Sequence, residues 1–187
     1  MKNLQPNDKR LIYGLVLALG LLWIWLSAVP AGATTGGQIP APQKGFLAPD
    51  FSLTTLDGQT VTLSELRGKA VIVNFWASWC PPCKAEMPAL DEVYQDYKGQ
   101  DLVILAVNST VQDTRDAAQS FITQNNLAFP VPLDESGDAT KAYRIQSLPT
   151  TFFIGKDGVI SEVVIGGPMS EALLRTRVEN LLRGEAR

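Results

Sequence analysis

Both cysteines of the chain stand in Trp79-Cys80-Pro81-Pro82-Cys83, two residues apart, between the apolar run Ala70 to Trp76 and a helix-like segment from Pro81 to Tyr97. A strand that turns directly into a helix aims the helix's unpaired N–H groups and positive dipole end at the residue in the turn. With Cys80 in that place its thiolate is favoured over its thiol, which makes Cys80 the candidate nucleophile. Cys83 follows nearly one helical turn later, so it can attack a mixed disulfide formed at Cys80. The pair reads as a redox-active dithiol. A structural cross-link is the weaker reading, because closing so short a loop removes little entropy from the unfolded chain.

The chain has no histidine and no third cysteine. A structural zinc site of four Cys and His ligands is therefore out of reach. So are a Ser-His-Asp or Cys-His catalytic arrangement and a histidine haem ligand. No metal and no cofactor is expected beyond the Cys80–Cys83 disulfide itself.

The N-terminus indicates where such a dithiol works. Leu11 to Val29 carries no charge over nineteen residues, and Lys2, Lys9 and Arg10 precede it against the single acid Asp8. That length matches the ~20 residues needed to cross a hydrocarbon core as a helix, and the basic flank keeps the N-terminus in the cytoplasm. The expected organisation is a cytoplasmic N-terminus over 1–10, a transmembrane anchor over 11–29, a linker over 30–46 and a folded domain over 47–187. A cleaved signal peptide competes, since Ala31-Gly32-Ala33 offers small residues for cleavage, but the run is longer than the ~7 to 15 residues of a signal's apolar region. Trp23 and Trp25 near its far end suit a membrane interface. Either way the domain is exported to a compartment where a disulfide persists.

Without the first 33 residues, which hold Lys2, Lys9, Arg10 and Asp8, 13 basic and 18 acidic side chains remain. A net charge of -5 argues against a nucleic-acid partner. Pro30 to Pro49 is rich in Pro, Gly, Ala and Thr and reads as a tether. Beyond it, strands and helices alternate. Asp50 to Leu56 and Gln59 to Leu63 flank the turn signal Asp57-Gly58, and Ala70 to Trp76 and Leu102 to Asn108 are buried-strand runs. The helix Pro81 to Tyr97 places Met87, Leu90, Tyr94 and Tyr97 on one stripe. A helix from Thr114 to Asn126 turns Ala117, Ala118, Phe121 and Ile122 inward. Phe129 to Leu133 reads as a short strand and Gly137 to Arg144 as helix. Thr151 to Gly155 and Val159 to Ile165 form a hairpin about Asp157-Gly158. Ser170 caps a last helix with Leu174, Val178 and Leu181 inward. The fold class is α/β, a three-layer α/β/α sandwich.

At these residues the chain resembles the thioredoxin superfamily. Phe75-Trp76-Ala77-Ser78-Trp79-Cys80-Pro81-Pro82-Cys83-Lys84 is similar to its active-site segment, Pro88 falls where that family kinks its helix, and Leu148-Pro149-Thr150 is similar to its cis-proline loop. The N-terminal anchor, the opening Ala48-Pro49-Asp50-Phe51 and an extra helix and strand between Thr114 and Leu133 make it resemble the membrane-anchored TlpA/ResA type. That resemblance implies a thioredoxin fold with an N-terminal β-hairpin and a central helix-strand insertion. It implies a monomeric extracytoplasmic protein-disulfide reductase, re-reduced by a membrane thiol electron donor and acting on apocytochrome c or another oxidised exported protein. It also implies a cis bond before Pro149, with the Leu148 backbone presented to substrate.

Two positions bear on proton handling. Asn74 stands six residues before Cys80, where thioredoxin carries a buried aspartate, and an amide cannot take a proton at ordinary pH. Glu86 lies three residues after Cys83 on a neighbouring helix face, matching a buried glutamate of the TlpA/ResA type. It is the candidate to take the proton of Cys83, provided burial raises its pKa. Trp79, Pro81, Pro82, Leu148 and Pro149 are the expected substrate contacts, and the two prolines also restrict the first helical turn. A disulfide-forming oxidase of the same fold is the main alternative, since the same dithiol serves either direction. A peroxiredoxin-like peroxidase lacks its Thr-x-x-Cys, Ala77 standing three before Cys80, and a copper module lacks its histidine.

Overall fold

A computed structural model describes residues 6–27 and 39–184, which divide into an N-terminal helix and a domain. Helix α1 spans Pro6–Ser27, 22 residues that take in most of the uncharged run. Its described side chains run from Tyr13 to Trp23, and the large apolar ones among them, such as Leu15, Leu17 and Trp23, are exposed. Among the described residues no helix is long and apolar enough to cross a membrane. Val29, the last residue of the expected anchor, and the first part of the expected linker lie outside the described residues.

The domain contains β1 (Ser52–Thr54), β2 (Thr60–Thr62), β3 (Ala70–Trp76), α2 (Pro81–Tyr97), β4 (Leu102–Asn108), α3 (Arg115–Gln124), α4 (Asp138–Ala142), β5 (Thr150–Ile154), β6 (Ile160–Ile165) and α5 (Glu171–Arg183). β1 and β2 form a separate antiparallel hairpin. The main sheet has the order β4-β3-β5-β6, with β3 parallel to β4 and antiparallel to β5. All seven residues of β3 are buried, and its two-residue period splits them between two cores. Ala70, Ile72 and Trp76 join the core with α2, α3 and α5, whereas Val71, Val73 and Phe75 join the one with Phe51, Leu63, Ala139 and Tyr143. These are the two outer layers of the expected sandwich. By the same alternation Asn74 points to the α2 side, which is why it reaches the site.

Three expectations change. Phe129 to Leu133 is extended but is not a strand of the sheet. Ala106 and Asn108 of β4 donate to the carbonyls of Pro130 and Pro132 at 3.1 and 2.8 Å, and Asp134 N–H returns a bond to Asn108 O at 3.0 Å. Pro132 has no N–H to return to Ala106, so the pairing stops at one bridge between Asn108 and Leu133. Residues 40 to 46, read from composition as tether, are already fastened to the domain, with Gly45 N–H on Ile160 O and Ile160 N–H on Phe46 O. Of the α2 stripe only Met87 and Leu90 are fully buried, and Val93 joins them while Tyr94 and Tyr97 are partly exposed. In α5, Leu174, Val178 and Leu181 are buried as expected.

Candidate active site

The end of β3 and the start of α2 put the two cysteines beyond the C-terminal end of a central strand. Cys80 is the N-cap of α2, with extended backbone, and Cys83 N–H donates to its Sγ at 3.3 Å. Pro81 and Pro82 fill the first two helical positions, where the fixed proline φ suits a helix start. They also remove two of the N–H groups that a helix start ordinarily leaves free. The backbone N–H that remains in the first turn to face Cys80 is that of Cys83.

The cysteines are joined, with a Cα–Cα distance of 5.3 Å. Cys80 keeps 3% of its surface exposed and Cys83 none, the order expected of a nucleophile in front and a resolving thiol behind. The bond before Pro149 is cis, as the family resemblance implied. Pro149 is buried, Leu148 half-buried and Pro81 exposed. Trp79 is 55% exposed beside Cys80, yet its position is defined, because the indole N–H donates to Gln112 O at 2.8 Å. The interior of α2 runs unbroken through Pro88.

Behind the disulfide, one turn along α2 from Cys83, Glu86 is fully buried. Its Oε1 accepts from Asn74 Nδ2 at 2.9 Å and its Oε2 from Met169 N–H at 2.8 Å. Burial pushes its pKa above the ordinary 4.5, against the opposing pull of those two donors and of Arg177. Asn74 Nδ2 also donates to Thr151 Oγ1 at 2.9 Å, while its Oδ1 is buried with no hydrogen-bond partner. Gly167 closes this pocket. A Cβ there would stand 2.8 Å from both Glu86 Oε2 and Pro149 Cγ, so only glycine fits.

In front of Cys80 a second carboxylate holds the loop. Asp113 accepts from Ser78 N–H at 2.6 Å, Ser78 Oγ at 2.7 Å, Asn108 Nδ2 at 2.8 Å and Thr114 N–H at 2.8 Å. Partial burial works against its charge, but the donors from Asn108, Ser78 and Thr114 outweigh it and hold its pKa below the ordinary carboxylate value.

Cys80, Cys83, Glu86, Trp79, Pro81, Pro82, Leu148 and Pro149 thus all lie at the sheet end formed by β3, the start of α2 and the loop before β5. Asp113, Thr151, Gly167 and Met169 were not singled out from sequence. A faint signal existed for Gly167, in the run Gly166-Gly167-Pro168 just before the last helix. Asp113 gave none, since an acid in a polar loop is commonplace.

A dithiol that closes to a disulfide at the first turn of a helix passes two electrons to another disulfide, or in its closed form takes two from another dithiol, and on this sheet it makes the protein a thiol-disulfide oxidoreductase of the thioredoxin fold. The profile of the AhpC/TSA family matches residues 45–163, and the chain belongs to that family, within its TlpA/ResA type. It is similar to the thiol-disulfide oxidoreductase ResA of Oceanobacillus iheyensis, 43% identical over 142 residues, 74% of this chain and 70% of that one. The ResA of Geobacillus thermodenitrificans is 37% identical over 177 residues, 95% of this chain and 99% of that one. A solved structure of a secreted Mycobacterium tuberculosis disulfide oxidoreductase homologous to Escherichia coli DsbE superimposes with a TM-score of 0.63 at 30% identity, covering 70% of this chain and 96% of that one.

Proposed function

We propose that this oxidoreductase is a reductant of disulfides in exported proteins, apocytochrome c among them, held outside the cytoplasm by the uncharged segment Leu11 to Val29. The observation that carries the direction is the proline pair at the start of α2. Each backbone N–H aimed at a helix-start sulfur stabilises the thiolate, and with it the reduced form of the pair. Pro81 and Pro82 withhold two such donors. The reduced dithiol is then less favoured and gives up its electrons more readily, which is what a reductant needs. The location draws support from the uncharged run Leu11 to Val29 behind Lys9 and Arg10. The alignment with the Geobacillus thermodenitrificans relative also extends into that N-terminal segment.

In the reaction the Cys80 thiolate attacks one sulfur of the substrate disulfide, forming a mixed disulfide and releasing the other substrate sulfur as a thiolate, which takes up a proton. Cys83 passes its proton to the Glu86 carboxylate as its own sulfur attacks Cys80. The Cys80–Cys83 bond forms, and the remaining substrate sulfur leaves and is protonated. Two electrons have moved from the dithiol to the substrate, and a membrane thiol donor returns them. Trp79, Pro81, Pro82, Leu148 and Pro149 line the approach of the substrate polypeptide.

Two measurements test this. The reduction potential should lie with thioredoxin, below about -200 mV, and a value near the ~-120 mV of a strong oxidant would reassign the enzyme as a disulfide former. Cys83→Ser should accumulate mixed disulfides with exported proteins in a membrane fraction, and Cys80→Ser none. Trapping by Cys80→Ser alone would reverse the roles of the two thiols.

A further inference from the structure

Behind the disulfide, the hydrogen bonds of three buried side chains cannot all be satisfied in one arrangement. Asn74 on β3 is paired across the sheet with Thr151 on β5. Both hydrogens of its amide are used, one on Glu86 Oε1 and one on Thr151 Oγ1, while its Oδ1 has no partner. Leaving such a buried acceptor unpaired is unfavourable, because it has given up its water without gaining a donor.

This arrangement suits the ionised carboxylate, because the partners of its two oxygens, Asn74 Nδ2 and Met169 N–H, are both donors. A protonated Glu86 has a different need. Its O–H requires an acceptor, and neither of those N–H groups can accept. The charged group that faces it from α5 is Arg177, donor-only as well and itself paired with Glu162 of β6. On α2 the titratable neighbour is Cys83, one turn earlier. Gly167, in the segment before α5, adds no side chain. The acceptor this cluster does hold is the idle Oδ1 of Asn74. Turning that amide by half a revolution about its last torsion exchanges Oδ1 and Nδ2. Oδ1 then faces Glu86 Oε1 and Thr151 Oγ1, and the hydroxyl can donate as readily as it accepts.

We propose that the Asn74 amide turns over with the protonation of Glu86, offering N–H to the carboxylate and C=O to the acid, while the Thr151 hydroxyl reverses its role each time. Asn74 is on this view a positioning residue for the proton step, and the inference rests on the reading of Glu86 as the carrier of the Cys83 proton. Either orientation leaves one end of the amide unpartnered, Oδ1 in one and Nδ2 in the other. Neither state is therefore a deep trap, which explains why a buried orphan atom is tolerated here. Glu86 keeps a bonded partner in both charge states, and its side chain has no need to leave the pocket.

The test follows the full-length wild-type protein, in detergent, by NMR with 13C-labelled glutamate and 15N-labelled asparagine. The Glu86 carboxyl shift records its protonation. Proximity signals from the Asn74 NH2 hydrogens to the Glu86 methylene and the Thr151 side chain should be present above the Glu86 midpoint and lost below it. Persistence of those signals through a titration in which Glu86 visibly gains its proton overturns the turning amide and leaves Glu86 as proton carrier. In Glu86→Gln the new NH2 group stands in for the acid O–H, so the Asn74 signals should be absent at every pH. Signals like those of ionised wild type would again overturn the proposal. Failure of the underlying reading shows separately, as a thiol pH profile that Glu86→Gln does not change.

Discussion

The dithiol lies between two carboxylates that its surroundings treat in opposite ways. Glu86 behind it is fully buried and accepts from Asn74 and the Met169 N–H, whereas Asp113 in front is half-exposed and accepts from Ser78 twice, Asn108 and Thr114. Both are desolvated. At Glu86 that burial outweighs the donors and raises the pKa, and at Asp113 the donors outweigh burial and lower it. The lesson is that closeness to a reacting sulfur does not make a carboxylate a proton carrier. A carboxylate saturated with donors is a fixed anchor for a loop, and one starved of them is ready to take a proton.

Exchanging the ionisable group for an amide should break this contrast most visibly at Glu86. Glu86→Gln is expected to slow resolution of the mixed disulfide by about a hundredfold near neutral pH, the low end of what a positioned general base contributes. Stopped-flow kinetics on a model disulfide would record it, and unchanged rates would reduce Glu86 to a packing residue. Stability moves the other way. Because the folded pKa is raised, the unfolded chain releases the Glu86 proton first. Wild-type stability is therefore full below about 4.5 and falls as pH rises toward the folded pKa, by about 1.4 kcal/mol per pH unit within that window. Oxidised Glu86→Gln escapes this fall. In urea titrations it should gain on wild type as pH rises.

Asp113 should respond in the opposite sense. Asp113→Ala strands the Ser78 and Asn108 donors and is expected to cost about 2 kcal/mol at pH 7. Asp113→Asn should cost less, since an amide oxygen still accepts. The depressed pKa means that this stabilisation is present above about 3.8 and is lost as pH falls through the folded pKa, so the gap to either variant should close in acid. A gap that widens on acidification would contradict the assignment. The rate of resolution should keep its wild-type pH profile in Asp113→Asn, because this carboxylate moves no proton.

Local chemistry explains why one of these carboxylates was legible in the sequence and the other was not. Glu86 shares a helix with Cys83, so periodicity puts it on a neighbouring face, the TlpA/ResA resemblance implies that it is buried there, and the alternation of β3 puts Asn74 on the same side. The hairpin turn at Gly58, the Ser170 cap and the inward face of α5 were readable for the same reason, each being set within a few residues. Asp113 meets Ser78 across 35 positions, and Met169 meets Glu86 across 83. No local pattern encodes such a meeting. The segment 129–133 differs in another way, because its apolar run fits a strand while Pro130 and Pro132 lack the N–H groups that would extend its one bridge to β4.

The smallest effect expected lies on the rim in front of Cys80. Trp79 is more than half exposed, and one indole hydrogen bond to Gln112 O ties it to the same loop that ends at Asp113. Trp79→Phe keeps an aromatic ring but removes that bond, so stability should fall by only about 0.5–1 kcal/mol, the net worth of one hydrogen bond. The ring is then free to change rotamer. If it serves as a contact for the substrate polypeptide, KM should rise a few-fold while kcat and its pH profile stay as in wild type, the pattern of a lost binding interaction that is equal in ground and transition states. A fall in kcat instead would mean that the indole bond, like Asp113, orders the Cys80 loop itself. The contrast would then set one buried proton carrier against a clamp of two residues.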